Sequence, residues 1–374
     1  MTAKKWTISF LIIILIILLG IAILNVVVDP YGYFDAVDGI NTAINDNSYI
    51  RVLKGKHIEK FGNNYDAYLL GGSKGGCYTS DKLKELDGYN YYNTYITCGN
   101  FEEYYIYAKL IAEETNAKKI IVNLSGFECL FDVRSGIKQQ TPAMFTGKSE
   151  VAEFISFLFK NPSLSVGEIM NPTFDYRQND DGSRNLDSLY EKYYRDPDKY
   201  VKEECIYDLN KNLKEMFEKA ETRTFSSFPN DIKYLRKIVE LCEEHDIELL
   251  VINTATPITS RQSYEGEAYW NFLAQVATVT DYWDFTSYND INKNPYNFYD
   301  DAHAFYEVID LVVDTINGTN SYEGFGKLVT KDNVYEYLQE RRADFYELKK
   351  EYEETGTITL NGYDHPSNLV KKGE

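Results

Sequence analysis

The chain of 374 residues is poor in cysteine and histidine, and this limits the chemistry available to it. Its five cysteines are odd in number and scattered, and no two of them form a Cys-x-x-Cys pair. Such a set predicts neither a disulfide framework nor a zinc site. We therefore expect a fold held by an ordinary hydrophobic core, with no metal ion and no other cofactor.

Positive charge is also scarce. The chain has 39 Lys and Arg against 58 Asp and Glu, which gives a formal net charge of −19. Nucleic-acid phosphate would be repelled by such a surface, because no basic stripe offsets the excess of carboxylates. The composition therefore argues against a nucleic-acid partner and is consistent with an acidic soluble ectodomain.

Only one segment is apolar for long enough to cross a membrane. As a helix, residues 8–28 would span about 30 Å, the thickness of the hydrocarbon core. Lys4 and Lys5 precede the segment and Asp29 follows it, so the positive-inside rule puts the N-terminus in the cytoplasm and the remaining chain outside the cell. A cleaved signal peptide is the alternative, but no small-residue cleavage site follows the apolar run. We expect residues 1–28 to form a single-pass cell-membrane anchor.

After a polar lead-in, residues 29–64, short apolar runs alternate with amphipathic helical segments. The runs predict strands at 65–70, 91–96, 119–124, 247–253 and 279–285, and helices at 101–114, 232–242, 268–276 and 305–316. This order predicts an α/β domain over residues 65–318, a three-layer fold in which helices cover both faces of a parallel sheet. A charged helix at 333–353 and a polar tail account for residues 319–374.

The alternation is interrupted over residues 130–228, which are polar and aromatic with one helical patch at 151–159. An insertion of this length in a periodic fold predicts a lid or a partner-binding surface. A structural cap without a chemical role is the alternative. The chain has 33 tyrosines, many of them in its middle. They fit either a carbohydrate-binding surface or a compositional habit of the source organism.

Two short motifs carry the candidate chemistry. Ser73, in the Gly-Gly-Ser-Lys-Gly-Gly run of residues 71–76, follows the first predicted strand. It is thus expected at the carboxyl edge of the sheet, where open α/β sheets bind ligands. Asp300 precedes His303 by three residues, and the two side chains share a face if this segment forms a helical turn. Together these residues supply a nucleophile, a base and a carboxylate that orients the base.

Each motif also has a simpler explanation. Gly-Gly-Ser alone is more often a strand-to-helix turn. Cys77, four residues after Ser73, is a second possible nucleophile, but it lacks the position at the end of a strand. Asp301 is the lesser candidate for orienting the histidine, because a residue two positions before that histidine points to another face of a helical turn. The simpler explanation of Asp301 is a helix N-cap. The remaining histidines lie in polar or charged surroundings: His57, His245 and His365.

With these motifs the chain resembles the SGNH (GDSL-like) serine hydrolase superfamily. Within that superfamily it is similar to single-anchor bacterial envelope proteins that work beside membrane-bound O-acyltransferases. Those include the D-alanine transfer proteins of teichoic acid synthesis and the O-acetylation proteins of alginate and related exopolysaccharides. The resemblance covers about residues 6–345, from the anchor to a closing Phe-Gly pair at 325–326. The Asp-x-x-His of residues 300–303, preceded by a Phe-Tyr pair, is its most specific part.

The resemblance implies a flavodoxin-like sheet and a Ser-His-Asp triad. In it Ser73 is the nucleophile, His303 the base and Asp300 the residue that orients the base. The oxyanion hole would include the N–H of Gly99, which matches the glycine of the family's second block. The third block, Gly-x-Asn-Asp, is absent.

In the place of that third block the chain has Asn-Leu-Ser-Gly, so Asn123 or Ser125 is the candidate for the missing oxyanion donor. Lys74 also departs from the family pattern, in which a small or hydroxylated residue usually follows the serine.

The resemblance further implies a serine acyltransferase or esterase that acts outside the cytoplasm on O-acyl groups of an envelope glycopolymer. The polymer would be a teichoic acid or an exopolysaccharide, and the partner a membrane-bound O-acyltransferase. Two alternatives remain open at this point: a stand-alone esterase, and a non-catalytic scaffold that keeps the fold. Lys74 and the missing third block favour the scaffold.

Overall fold

The computed structural model describes residues 2–34, 50–126, 142–170, 178–224, 228–260, 265–320, 322 and 324–360. The chain divides into two compact units. The first, here the N-terminal unit, combines residues 1–57 with 135–178, and the second, the sheet unit, combines residues 58–134 with 179–374. Within the predicted insertion, residues 135–178 belong to the N-terminal unit, whereas residues 130–134 and 179–228 belong to the sheet unit.

Six strands form a single sheet in the sheet unit. They are β1 (Ala67–Gly71), β2 (Tyr91–Tyr95), β3 (Lys119–Leu124), β4 (Glu248–Asn253), β5 (Tyr282–Asp284) and β6 (Lys327–Val329). Their order is β2-β1-β3-β4-β5-β6. The first five are parallel, and β6 pairs antiparallel with β5. The mixed α/β class and the mostly parallel sheet are thus confirmed. The prediction of an all-parallel sheet is wrong at its edge, because no apolar pattern in the chain marks β6.

Fourteen α-helices are present among the described residues. They are α1 (Ala3–Val28), α2 (Ile50–Phe61), α3 (Ser80–Leu83), α4 (Phe101–Glu114), α5 (Ala143–Thr146), α6 (Glu150–Leu158), α7 (Ser163–Met170), α8 (Asp187–Arg195), α9 (Pro197–Tyr200), α10 (Leu209–Lys219), α11 (Phe228–Glu244), α12 (Glu267–Ala277), α13 (Tyr306–Ile316) and α14 (Val334–Thr355). Four of the five predicted helices outside the insertion end within about two residues of their predicted limits. The helix predicted at 232–242 extends further in both directions, as α11.

The core of the sheet unit forms because side chains alternate across fully buried strands. Leu69 of β1 and Ile121 of β3 belong to the apolar cluster that includes Val308 and Val312 of α13. The next residues of the same strands, such as Leu70 and Val122, are buried as well. The helices α4 and α11 pack on each other and contact β1 and β4. The parallel register sets the ends of β1, β3 and β4 side by side.

A buried arginine connects the C-terminal helix to this core through ion pairs and a hydrogen bond. Arg341 of α14 is fully enclosed, and its guanidinium pairs with Glu265. It also lies 3.7 Å from the carboxylate of Asp284 at the end of β5 and donates to the Thr286 carbonyl at 3.2 Å. Two buried carboxylates therefore depend on this one cation. The contacts explain why α14 belongs to the sheet unit although it follows the predicted domain limit.

In the N-terminal unit, α1 is the one helix among the described residues that is long and apolar enough to cross a membrane. A small cluster of buried side chains lies near its end, including Tyr31 and Tyr33 from the following turn, Val52 of α2 and Phe157 of α6. The Tyr33 and Phe157 rings are stacked, with centroids 4.1 Å apart.

We expect Arg341→Met to lower the free energy of unfolding by about 3–5 kcal/mol, because it leaves buried carboxylates without their cation. The neighbouring Arg342 offers a matched control. Its side chain is 40% exposed and pairs with Glu267 at 2.7 Å on the surface, so Arg342→Met should cost less than about 1 kcal/mol. Denaturant unfolding of the full chain in detergent measures both values. Equal losses would contradict the role given to Arg341.

Candidate active site

The candidate nucleophile lies in a tight turn at the end of β1. Ser73 begins a short 3-10 helix, Ser73–Cys77, directly after the strand. A side chain at Gly71 would come within 2.8 Å of the Asn123 Cβ on β3, so glycine is required for the turn to lie this close to its neighbour. The sequence-based position of Ser73 at the carboxyl edge of the sheet agrees with this geometry.

A polar residue of β2 holds the turn in place. The side-chain amide of Asn93 donates to the carbonyls of Gly75 and Tyr78, both at 2.8 Å. These carbonyls are buried, and an unpaired one would cost about 1–3 kcal/mol. Asn93 therefore fixes the path of the chain in the residues that follow Ser73. Asparagine is unusual in the middle of a buried strand, and this unusual position was the one feature of the sequence that could have indicated its role.

The histidine lies in a loop before α13. Phe298 and Ala304 form an isolated antiparallel bridge, and the Tyr299 N–H donates to the His303 carbonyl at 2.9 Å. Between these residues Asp300 Oδ1 accepts the backbone N–H groups of Ala302 and His303, each at 2.8 Å. The helical turn expected here is therefore wrong. The carboxylate closes a local turn of its own, and α13 begins only at Tyr306.

Ser73, His303 and Asp300 form a continuous hydrogen-bonded chain. His303 Nε2 is 2.8 Å from Ser73 Oγ, and its Nδ1 is 2.8 Å from both carboxylate oxygens of Asp300. The His303 side chain is 12% exposed and Ser73 is half-buried, so the nucleophile is open to a substrate. In this arrangement the imidazole can take the serine proton while the carboxylate stabilises the resulting imidazolium.

The charges at the site are consistent with a paired carboxylate. Burial raises the pKa of Asp300, but the His303 charge and hydrogen bonds from His303 and the backbone outweigh burial and hold this pKa below its usual value. Burial raises the pKa of the Cys77 thiol to about 11. Cys77 is fully buried and protonated at neutral pH, so it does not compete with Ser73 as a nucleophile.

The three candidate oxyanion residues differ in their surroundings. The Gly99 N–H donates to the Ile96 carbonyl at 3.1 Å, in a turn where Cys98 adopts the left-handed conformation (φ 53°). The side-chain amide nitrogen of Asn123 bonds to the Thr254 hydroxyl. The Ser125 carbonyl accepts a hydrogen bond from a buried lysine. In this structure each candidate thus has a partner within the protein.

That lysine is Lys74, the residue directly after the candidate nucleophile. Its side chain is buried, and its ammonium also donates to the Thr256 hydroxyl at 3.0 Å. It borders a cavity of about 30 Å³ together with Arg341 and Glu265. Lys74 therefore contributes to the packing beyond the ends of β3 and β4.

Sequence reasoning missed a second set of contacts that holds the histidine. The ring of Tyr299 stacks on the His303 imidazole, with an interplanar angle of 8° and centroids 5.4 Å apart. Arg184, from the long insertion, donates to the Tyr299 hydroxyl at 2.6 Å. The Phe-Tyr pair before the Asp-x-x-His was the only signal for Tyr299, and nothing pointed to Arg184.

More of the insertion supports the same loop. The hydroxyl of Tyr200 donates to the Tyr299 carbonyl at 2.6 Å, and the Cys205 thiol lies 3.2 Å from the Phe298 carbonyl. The backbone N–H of Arg184 donates to the Gly76 carbonyl in the nucleophile turn at 2.7 Å. The part of the insertion that belongs to the sheet unit thus contacts both halves of the candidate site.

Comparison with models of known protein families and with curated proteins gave no match for this chain.

We expect Asp300→Asn to slow the reaction of Ser73 with a fluorophosphonate probe by about 10³–10⁴-fold, because the amide would favour the wrong imidazole tautomer. Asp301→Asn should change the rate little, since both Nδ1 contacts are made by Asp300. The measurement is the labelling rate of Ser73 in the full chain, followed by mass spectrometry. Equal losses at both positions would show that the wrong aspartate has been assigned.

Tyr299→Leu should slow the same labelling about 10–100-fold, because the imidazole loses the ring that fixes its plane. Tyr299→Phe keeps the ring and loses only the bond from Arg184, so we expect a smaller effect. Comparison of the two variants with their unfolding free energies separates positioning from general stability. Slower labelling by Tyr299→Leu with an unchanged free energy of unfolding would support positioning by the ring, whereas a parallel loss of unfolding free energy would indicate a structural role only.

Proposed function

We propose that the chain is a membrane-anchored serine acyl-transfer enzyme of the SGNH type. In this proposal it works outside the cytoplasm on O-acyl groups of an envelope glycopolymer. The observation that carries the proposal is the hydrogen-bonded chain Ser73–His303–Asp300 at the edge of the sheet. A nucleophile, a base in contact with it and a carboxylate behind that base are the roles that define a catalytic triad, and here they are filled by a half-buried serine, a histidine and an aspartate.

The proposed reaction uses each of the three side chains once in every half-cycle. Ser73 Oγ attacks the acyl carbonyl while His303 Nε2 takes its proton. The donor oxygen then leaves with that proton, and the acyl group stays on Ser73 as an ester. In the second half an acceptor hydroxyl gives its proton to His303 as its oxygen attacks the ester, and Ser73 Oγ then leaves the acyl group and takes the proton back from His303. Asp300 holds the imidazole and stabilises its charged form throughout.

The SGNH assignment rests on where the motifs lie along the fold. The serine follows the first strand of the sheet, and the Asp-x-x-His precedes the helix α13 near the end of the sheet unit. The sheet order runs β2-β1-β3-β4-β5 through the parallel strands, the order of a flavodoxin-like fold. Ser73 sits beside the point at which this order reverses, the usual ligand position in such sheets.

The envelope location is supported by α1 and by the charges around it. Lys4 and Lys5 precede the apolar run, and Asp29 follows it. We propose that α1 crosses the cell membrane once, with the N-terminus in the cytoplasm and the site outside. In this proposal a membrane-bound O-acyltransferase in the same membrane supplies the acyl group.

A glycopolymer acceptor is favoured by the aromatic surface of the insertion. Tyr190 and Tyr194 are stacked with centroids 5.8 Å apart, and Tyr194 is 42% exposed. Tyr190 also bonds to the N–H of Tyr306, at the start of the helix that follows the histidine loop. Exposed tyrosine rings provide flat apolar faces with polar edges, which suit the faces and hydroxyls of sugar rings.

The decisive experiment removes the nucleophile. In the full chain we expect a fluorophosphonate probe to label Ser73, and Ser73→Ala to abolish labelling, with a loss of several orders of magnitude. Ser80→Ala is the control. Its hydroxyl accepts the Tyr91 N–H and lies outside the triad, so this variant should label normally.

Three outcomes separate the alternatives. Slow ester hydrolysis by the purified chain, together with loss of polymer acylation in Ser73→Ala cells, supports acyl transfer with a partner. Rapid hydrolysis of short acyl esters without a partner identifies a stand-alone esterase. No labelling of Ser73 and unchanged polymer acylation in Ser73→Ala cells would leave the scaffold as the correct alternative.

A further inference from the structure

Two helices of the N-terminal unit carry apolar side chains that remain exposed among the described residues. Helices α6 and α7 each present apolar residues to the outside at a spacing of three and four residues, the period of one helix face. These residues are Val151, Phe154, Ile155 and Phe159 from the first helix and its end, and Val166, Ile169 and Met170 from the second. We call this set the hairpin face.

Within residues 151–170 no charged side chain interrupts the hairpin face, and the exposed Glu150 lies at its edge, at the first residue of α6. Between residues 151 and 170 the charged residues are Glu153, Lys160 and Glu168, and none of them is in the exposed class. Glu153 is turned inward, where it accepts the Ala143 N–H at 2.8 Å. A helix pair in water normally shows its charged residues on the outer side. Here the outer side is the apolar one, and a patch of this kind marks an interaction surface.

A polar residue near the end of α1 ties this hairpin to the apolar helix. Asn25 is fully buried, and its side-chain amide donates to the carbonyls of Leu158 and Lys160 at 3.0 and 2.9 Å. These carbonyls lie at the end of α6, where the helix leaves them unpaired. The Ser165 hydroxyl of α7 donates to the side-chain oxygen Oδ1 of Asn25 at 2.8 Å. Both helices of the hairpin are therefore bonded to a single position on α1.

The position of Asn25 along α1 sets the depth of the hairpin. From Trp6 to Asn25 the helix rises about 29 Å at about 1.5 Å per residue, close to the thickness of the hydrocarbon core. If Trp6 lies at one boundary of the bilayer, Asn25 lies at the other. The aromatic residues near Asn25, including Tyr31 and Tyr33, and the ammonium of Lys160, 5.1 Å from the Tyr31 ring centroid, match the composition of that boundary.

We propose that α6 and α7 lie in the outer leaflet of the membrane, with the hairpin face buried at the boundary between headgroups and acyl chains. The proposal rests on the part of the proposed function that puts α1 across the membrane. Lipid is the occupant that the contacts favour, because the hairpin is fixed to α1 at the level where the bilayer ends. Helices of this kind bury their apolar face about 5–10 Å deep. The chain then meets the membrane through a helix and a surface hairpin.

Spin labels on the full chain in phosphatidylglycerol and phosphatidylethanolamine vesicles test this proposal. Labels are attached to cysteines introduced at Ile155 and Ile169, and their collision with dissolved oxygen and with a water-soluble nickel chelate is measured. Leu15 of α1 is the lipid reference and Tyr335 of α14, 72% exposed, the aqueous reference. The unmodified chain, treated identically, gives the background from the five native cysteines.

We expect Ile155 and Ile169 to resemble Leu15, with high access for oxygen and low access for nickel. High access for nickel at both hairpin positions would overturn the proposal. Low access for both reagents would also overturn it, because the face would then be covered by protein, either a second copy or another segment of the chain. If Leu15 itself reads as aqueous, the anchor is wrong and the proposed location fails with it. None of these readouts depends on catalysis.

A second variant tests the bond that sets the depth. Asn25→Leu removes the donor to the α6 carbonyls, so the label at Ile155 should lose its fixed position and gain access to nickel. Val26→Leu changes the neighbouring residue without removing any hydrogen bond and serves as the control. An unchanged label in Asn25→Leu would show that Asn25 does not hold the hairpin in the membrane.

Discussion

The carboxylate of Asp300 is the group on which the candidate site depends. It accepts two backbone N–H groups from its own loop and faces the imidazole of His303 at the same time. The same carboxylate therefore closes the loop and contacts the imidazole. A buried negative charge would be costly by itself, and these donors offset that cost. Formation of the loop and orientation of the base therefore depend on the same carboxylate group.

Much of the sheet was predictable because most of the parallel strands are short runs of aliphatic and aromatic residues between polar turns. The same reasoning found Ser73, since a residue following the first strand must lie at the carboxyl edge. The edge strand β6 escaped prediction because it has only three residues, and two of them, Lys327 and Leu328, are exposed. Its pairing depends on a neighbouring strand rather than on a pattern of its own. Short edge strands of this type leave no periodic signal.

The supporting contacts of the site could not be read from the sequence. Arg184 and Tyr299 are separated by 115 positions, and their bond follows from the path of the insertion across the sheet unit. The sequence showed the pair Asp300 and His303 but not the kind of turn between them, because a helical turn and a carboxylate-closed turn bring the same two residues together. The surroundings of Gly99 likewise depend on the left-handed conformation at Cys98, which few residues of that type adopt.

The segment from Arg184 to Cys205 has a consequence for control of the site. Its backbone and side chains hold the nucleophile turn and the histidine loop, yet it contributes no member of the triad. The reactivity of the serine is therefore coupled to the order of this segment, whose Leu186, Tyr193 and Val201 side chains are buried in the apolar cluster of the sheet unit. A protease cut or a bound protein that loosens the segment would therefore disturb the chemistry and the core together.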